Sequence, residues 1–305
     1  MSEQDGLFSA AEFDTEFDKT FRVHVPRPRT SADEAREFGG WTGHKLDILT
    51  LYLKMYRRVA GGGTYIDGFA GTGEIRIDGV KREGSAAIAL DSTAFKVYRF
   101  YERPRQARRL GRWVETEFPS ERRPRIEIVP GDCNETLLRT LGEELIPKSR
   151  PCFAFLDPNS TELNWSTVAA LATYKADVCD PPDKCKVELW ILLNTYQVLM
   201  RLMGKKPHET VLNRWLGGEA GWRDLWEAHK GAGLFAARYA ERLKSEFGYG
   251  EALPLTVRNP KNGAPQYHMI HASDHPAAFS FMRWAKSKAH PEDSAPAMLP
   301  GFEGL

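Results

Sequence analysis

The sequence predicts an α/β protein with a doubly wound, mostly parallel sheet, and three observations carry that expectation. Apolar strand-like segments alternate with helix-periodic ones through residues 41–203, the pattern that closes a parallel sheet between two layers of helices. The first strand runs directly into a turn of small residues, Thr64-Tyr-Ile-Asp-Gly-Phe-Ala-Gly-Thr-Gly73. Four successive strands end on or just before an acidic residue: Asp67, Glu102, Asp132 and Asp157.

Taken in order, residues 1–37 are polar, include Pro26-Arg-Pro-Arg, and read as an extended lead-in. A helix opens at Trp41-Thr-Gly-His-Lys-Leu-Asp-Ile-Leu, with Thr42 as its cap and Leu46, Leu49, Leu53 and Tyr56 on one face. Gly61-Gly-Gly63 ends it before the first strand. Residues 74–83, which carry Asp78-Gly79, read as an excursion, and Gly84-Ser-Ala-Ala-Ile-Ala-Leu90 starts the helix owed to that strand. A second strand over 96–101 leads to Glu102, an Arg-rich helix follows over 104–118, and a third strand covers 125–129. Next come a helix over 135–145, a strongly apolar fourth strand over 152–156, and a helix over 165–174 with Ser166 and Thr167 as cap candidates. Residues 186–193 make a fifth strand and 196–203 a helix.

Residues 207–247 hold Trp215, Trp222, Trp226, Phe235 and Tyr239 among helical residues and read as a helical insertion, its tryptophans core rather than a stacking platform. Residues 253–257 and 266–272 form a terminal hairpin pair, 279–288 a closing helix, and 291–305 a Pro/Gly-rich tail. The main domain is thus expected over 38–206 and 248–290.

Composition narrows the function classes. At 305 residues and 42% hydrophobic the chain can bury a large core. A net charge of +1 and a pI near 7.7 do not announce a nucleic-acid binder. No run approaches the roughly 18 apolar residues of a membrane span, and the first residues lack a basic-then-apolar leader. Cys133, Cys152, Cys179 and Cys185 show no paired Cys-x-x-Cys, which points to reduced thiols and a cytoplasmic setting. Cys179-Asp-Pro-Pro-Asp-Lys-Cys185 reads as a loop, and no metal site is expected.

The candidate site lies at the strand ends. A Gly-rich turn after a strand lets backbone approach a ligand, and ligands of open α/β sheets bind outside the carboxyl ends of the strands. A dinucleotide fingerprint would need a third glycine where Arg76 stands. Asp67 followed by Phe69, Ala70, Gly71, Thr72 and Gly73 resembles instead motif I of Rossmann-like S-adenosylmethionine (SAM) methyltransferases. In such a site Glu102 accepts from the ribose hydroxyls, Asp132 with Cys133 beside it faces the adenine, and residues 69–73 surround the amino-acid part. Lys45 is a candidate partner for the cofactor's carboxylate.

Longer motifs sharpen the likeness. Trp41-Thr-x-x-Lys45-Leu-x-Ile-Leu, Tyr65-Ile-Asp-x-Phe-Ala-Gly-Thr-Gly73, Gly84-Ser-x-x-Ile-Ala-Leu90 and Phe155-Leu-Asp-Pro158 resemble the three-Cys-motif partner (TcmP) family, as does Tyr267-His-Met-Ile-His-Ala-Ser273 with Met282 after it. The resemblance covers about residues 38–290. It implies a seven-stranded Rossmann-like methyltransferase sheet with a C-terminal antiparallel strand, SAM as cofactor, and a three-Cys-motif partner of radical-SAM type. No substrate comes with it.

Two departures stand out. After Asp157-Pro158 the chain has Asn159-Ser160 in place of the family's aromatic and glycine, and Leu193-Asn-Thr-Tyr replaces a more apolar turn. Related amino-methyltransferases carry Asp-Pro-Pro-Tyr here, whose acidic residue and carbonyl accept from the target amine while the aromatic stacks on the base. Asp157 and Asn159 keep the acceptors and are the candidate catalytic pair; Asp157 also borders the cofactor. The expected function is methylation of a nitrogen or other heteroatom. The alternatives are a catalytically silent SAM- or nucleotide-binding subunit and a nucleic-acid amino-methyltransferase.

Residues 103–125 hold eight arginines (Arg103, Arg105, Arg108, Arg109, Arg112, Arg122, Arg123 and Arg125) against three glutamates. They read first as a solvated face, with phosphate contact to a nucleic acid as the other reading. His268 and His271 sit three apart in a strand, on opposite faces, and make poor joint metal ligands.

Overall fold

The computed structural model describes residues 37–38, 41–60, 62–118, 125–178, 186–204, 206–259 and 262–290. Nearly all of the lead-in, the Cys179–Cys185 loop, Arg122, Arg123 and the tail lie outside the described residues. Strand β1 (Glu37–Phe38) precedes α1 (Trp41–Ala60), which leads to β2 (Gly63–Asp67). Hairpin strands β3 (Glu74–Ile77) and β4 (Val80–Glu83) come before α2 (Ser85–Ser92), β5 (Phe95–Glu102) and α3 (Pro104–Glu117). Then follow β6 (Arg125–Pro130), α4 (Cys133–Gly142), β7 (Cys152–Leu156), α5 (Trp165–Thr173) and β8 (Glu188–Leu193). A π-helical turn, Thr195–Leu199, runs into α6 (Met200–Leu202), and α7 (Glu209–Leu216), α8 (Arg223–Glu227) and α9 (Ala232–Phe247) lead to β9 (Glu251–Arg258), β10 (Pro265–Ser273) and α10 (Pro276–Ala289).

Seven strands form the main sheet in the order β6-β5-β2-β7-β8-β10-β9. All are parallel except β10, which pairs antiparallel with both β8 and β9. This is the doubly wound, Rossmann-like arrangement with one reversed strand near the C-terminus. Strands β2, β7 and β8 are buried at every residue, as parallel strands covered on both faces must be. Period-two alternation then sorts their side chains into two cores. Tyr65, Phe153, Phe155, Trp190 and Leu192 face α1, α2, α3 and α10; Ile66, Ala154, Leu156, Leu189 and Ile191 face α4, α5, α7 and α9. Helix α1 contributes Leu46, Leu49, Leu53 and Tyr56, all buried, as its periodicity predicts.

Three local expectations are revised. Thr42 does not cap α1: the helix already includes Trp41, so Thr42 falls in the first turn. Neither Ser166 nor Thr167 caps α5, because the extended backbone of Asn164 (φ −86°, ψ 143°) takes that position and the Thr167 hydroxyl turns to Asn134 Oδ1 at 2.9 Å. Residues 196–203 are not one plain helix; Leu199 N–H reaches back five residues to Asn194 C=O (3.0 Å), widening the turn after β8.

The excursion at 74–83 is a hairpin whose turn residues Asp78 (φ 47°) and Gly79 (φ 78°) are both left-handed, the signature of a type I′ connection. It pairs with β1 as a small separate sheet. Within 207–247, Trp215 and Trp222 are fully buried, and α9 lays Phe235, Ala236, Tyr239 and Leu243 into the core beside β9 and β10. Among the described residues no helix is long and apolar enough to cross a membrane.

Candidate active site

The carboxyl ends of β2, β5, β6, β7 and β8 open onto one cavity of about 520 Å³. Its near wall is the turn after β2, held by hydrogen bonds from both neighbouring strands. Gly68 N–H donates to Phe155 C=O (3.0 Å) and Ala70 N–H to Tyr101 C=O (3.2 Å). Gly71 N–H donates to Glu102 Oε2 at 2.8 Å. A Cβ on Gly68 would stand 2.8 Å from Leu156 Cδ2 and 3.0 Å from Cys133 Sγ, so a side chain there would have to push these buried neighbours aside. Gly71 has a left-handed backbone (φ 66°), and a Cβ there would meet nothing within 4 Å. Its outer side is therefore open to a ligand lying against the backbone.

Three of the four acidic strand ends sit in different situations. Glu102 borders the cavity; besides Gly71, its Oε1 accepts from Arg103 N–H at 2.7 Å. A carboxylate offers about four acceptor sites, so Glu102 can clamp the turn and still receive ligand hydroxyls. Asp132 also borders the cavity but caps α4, its Oδ1 accepting from Asn134 N–H (2.8 Å) and Nδ2 (2.9 Å). Asp67 is fully buried under the turn rather than in the cavity wall. It accepts from Phe69 N–H (3.1 Å) and from the Ser85 hydroxyl. Both donors line the cavity, so Asp67 shapes the site from behind.

Burial pushes the Asp67 carboxyl up to about 7, against the lowering pull of Ser85 and Phe69, with the charges of Asp157 and Glu102 adding to the rise. Between about pH 4 and 7 the folded chain keeps a proton that the unfolded chain releases, so stability falls as pH rises through that window. The full effect is on the order of 4 kcal/mol. Asp67→Asn should therefore gain melting temperature over the wild type as pH rises from 4 to 7, with a constant offset above. A pH-independent offset in thermal melts would refute that assignment.

Across the cavity, Lys45 Nζ from α1 bonds Asp157 Oδ1 at 2.6 Å, and its ammonium lies 5.8 Å from the centroid of the Tyr267 ring. Two residues given separate roles by the sequence are thus ion-paired. Asn159 is exposed at the cavity edge, and its carbonyl accepts from Asn194 Nδ2 at 3.5 Å. Asn194 Oδ1 is buried without a hydrogen-bond partner, a cost that a ligand donor would remove. Asn194 and Gln197 were not singled out from sequence; their signal was the unusually polar turn at Leu193-Asn-Thr-Tyr.

The remaining candidates sit as follows. Cys133, at the start of α4, is 5% exposed, and burial raises its thiol pKa, with Asp132 next in effect. Phe69, Ala70, Thr72 and Gly73 line the cavity with Gly71. Arg103 and Arg109 reach its rim, whereas Arg105, Arg108 and Arg112 point outward and are exposed. His268 bonds Thr195 Oγ1 (2.8 Å), and burial drives its pKa down to about 4, so the ring is neutral. His271 instead bonds Glu188 Oε1 at 2.8 Å. Among the described residues no group of three or more metal-ligand side chains comes together.

No protein-family model and no curated protein matches the chain. Among solved structures it is similar to protein LPL1258 from Legionella pneumophila str. Philadelphia 1, family-model DUF519 (TM-score 0.50, 11% identity, 82% of this chain and 91% of that one). That likeness shows the shared fold. Two looser ones are to the mitomycin 7-O-methyltransferase MmcR (TM-score 0.36, 18% identity, 74% and 53%) and the pyocyanin biosynthetic protein PhzM (TM-score 0.34, 14% identity, 73% and 54%). In each case the match spans about half of the other chain.

Proposed function

We propose that the protein is a SAM-dependent methyltransferase acting on a nitrogen or another heteroatom. One observation carries the reading: a single cavity has an open glycine turn flanked by Glu102 and Asp132 at one end and the Asp157-Pro158-Asn159 turn at the other. The first end has backbone and carboxylate acceptors suited to a nucleoside with an amino-acid tail; the second has acceptors suited to an N–H or O–H donor. The donor set fits SAM, which when bound supplies an electrophilic methyl group. Glu102 accepts from the ribose, Asp132 faces the adenine, and the Gly71 backbone leaves room for the tail. Asp157, with the Asn159 amide and carbonyl beside it, orients the acceptor and takes the hydrogen bond of the proton the nucleophile must lose. The motif likeness to the TcmP family supports the same reading and adds a three-Cys-motif protein as proposed partner.

Calorimetry with SAM and S-adenosylhomocysteine tests the cofactor half. Each should bind the purified protein, and Glu102→Ala should weaken both by roughly one to two decades, since a charge-assisted hydrogen bond is worth about 1.5–3 kcal/mol. No heat from either ligand with an intact circular dichroism spectrum would sink the proposal. The Lys45–Asp157 pair favours one second reading, a SAM-binding subunit without chemistry of its own, because it leaves Asp157 already neutralised. Binding without any transfer, even with the three-Cys-motif partner co-expressed, would select that reading.

A further inference from the structure

Lys45 Nζ lies 2.6 Å from Asp157 Oδ1 and 2.5 Å from Oδ2, and the two side chains are only 9% and 17% exposed. Leaving either charge unpaired so far out of water is costly, so each needs a replacement partner, an ion or a hydrogen-bonding group, when the pair parts. The two partners differ in freedom to move. Asp157 has a short side chain, follows a strand buried at every residue, and precedes Pro158, whose φ is locked. Lys45 carries its ammonium on a flexible four-carbon stem with three donors. Any exchange of partners therefore moves Lys45 and leaves Asp157 in place.

Among the described residues, three cationic side chains line the cavity: Lys45, Arg103 and Arg109. The two arginines belong to the segment that follows Glu102, on the proposed ribose side, while Lys45 stands at the Asp157 end with Thr42 one turn before it on α1. Lys45 is thus the cation available to a ligand carboxylate arriving between the glycine turn and Asp157. We propose that Lys45 is a positioning residue serving two carboxylates in turn: Asp157, as seen here, and the carboxylate of bound SAM. This rests on the cofactor reading above. When Lys45 changes partner, Asp157 loses its counter-charge and becomes a strong acceptor aimed into the cavity. Orientation of the methyl acceptor then follows cofactor binding, and Asp157 is withheld from donors until the cofactor is in place.

The test compares two ligands by calorimetry: S-adenosylhomocysteine, and S-adenosyl-3-thiopropylamine, which keeps the thioether and amine but lacks the carboxylate. Their affinity ratio isolates the carboxylate. In Lys45→Met the ratio should fall to about one. In Asp157→Asn, where Lys45 is released beforehand, it should rise roughly tenfold above wild type, the scale of one charge-assisted contact. The double variant should return to the Lys45→Met ratio. A pair with only a structural role would lower the melting temperature of both single variants and shift both ligands alike, leaving the ratio unchanged; that result overturns the exchange while the cofactor reading stands. Failure of both ligands to bind folded wild type overturns the cofactor reading and the exchange with it.

Discussion

Asp157→Ala is expected to lose at least about a hundredfold in methyl transfer while still binding S-adenosylhomocysteine as well as wild type or better. The carboxylate stands at the end of β7, facing the cavity. In the proposed reaction its contact with the nucleophile strengthens as the proton is shed, so its loss counts chiefly in the transition state. Removing it also leaves the Lys45 ammonium without the partner it now has, and a lower melting temperature should accompany the kinetic defect. Label transferred from methyl-labelled SAM in a cell extract, cofactor affinity and thermal melting on one variant separate the roles. Unaltered transfer with a lowered melting point would retire Asp157 as a catalytic group and leave it as a structural ion-pair partner.

The sheet was legible in the sequence because its central strands are buried on both faces. The 152–156 segment has no polar side chain to obscure the pattern, and the strand occupies those residues. Helix α1 was equally plain, since a stripe at helical spacing is a strong signal over 20 residues. Elements whose shape depends on particular partners were harder. Thr167 has the composition of a cap, yet Asn134 draws its hydroxyl away. The 74–83 hairpin alternates charged residues with few apolar ones, so only its Asp78-Gly79 turn stood out. The π-helical turn follows from two backbone hydrogen bonds, Leu199 N–H to Asn194 C=O and Met200 N–H to Thr195 C=O, which no side-chain pattern announces.

The site divides along the same line. Acidic residues at four strand ends could be placed from topology alone, and Glu102, Asp132 and Asp157 do border one cavity. Depth could not be read that way. Asp67 follows the same rule of position, but a turn that folds over its strand end puts it beneath the wall. The Lys45–Asp157 pair joins residues 112 apart in sequence, a meeting set by how α1 packs across β7 and not by either residue's neighbours. It also ties together two residues to which the sequence assigns separate candidate roles, because each is the other's ion-pair partner.

Gly73→Ala should be the most destabilising single methyl added to the turn, and its comparison with Gly71→Ala separates fold from site. Both glycines are left-handed, φ 87° at Gly73 and 66° at Gly71, which costs a non-glycine residue about 1–2 kcal/mol. Their surroundings differ. A Cβ on Gly73 would lie 2.3 Å from Trp113 Cδ2, inside the indole that α3 packs over the turn, whereas one on Gly71 would meet nothing within 4 Å. Overpacking of that kind adds about 1–3 kcal/mol, so Gly73→Ala should cost roughly 2–5 kcal/mol in all. Gly71→Ala should cost only the backbone part, yet place a methyl where the ligand is proposed to lie against the turn. Thermal melts should then rank Gly73→Ala well below Gly71→Ala, with Trp113→Ala added to Gly73→Ala recovering part of the steric loss. Calorimetry with S-adenosylhomocysteine should show a binding defect in Gly71→Ala out of proportion to its small loss of stability. Equal melting losses in the two variants would mean that Trp113 yields freely and that backbone strain alone decides the turn. Normal binding by Gly71→Ala would move the ligand away from Gly71 and with it the proposed seat of the amino-acid tail.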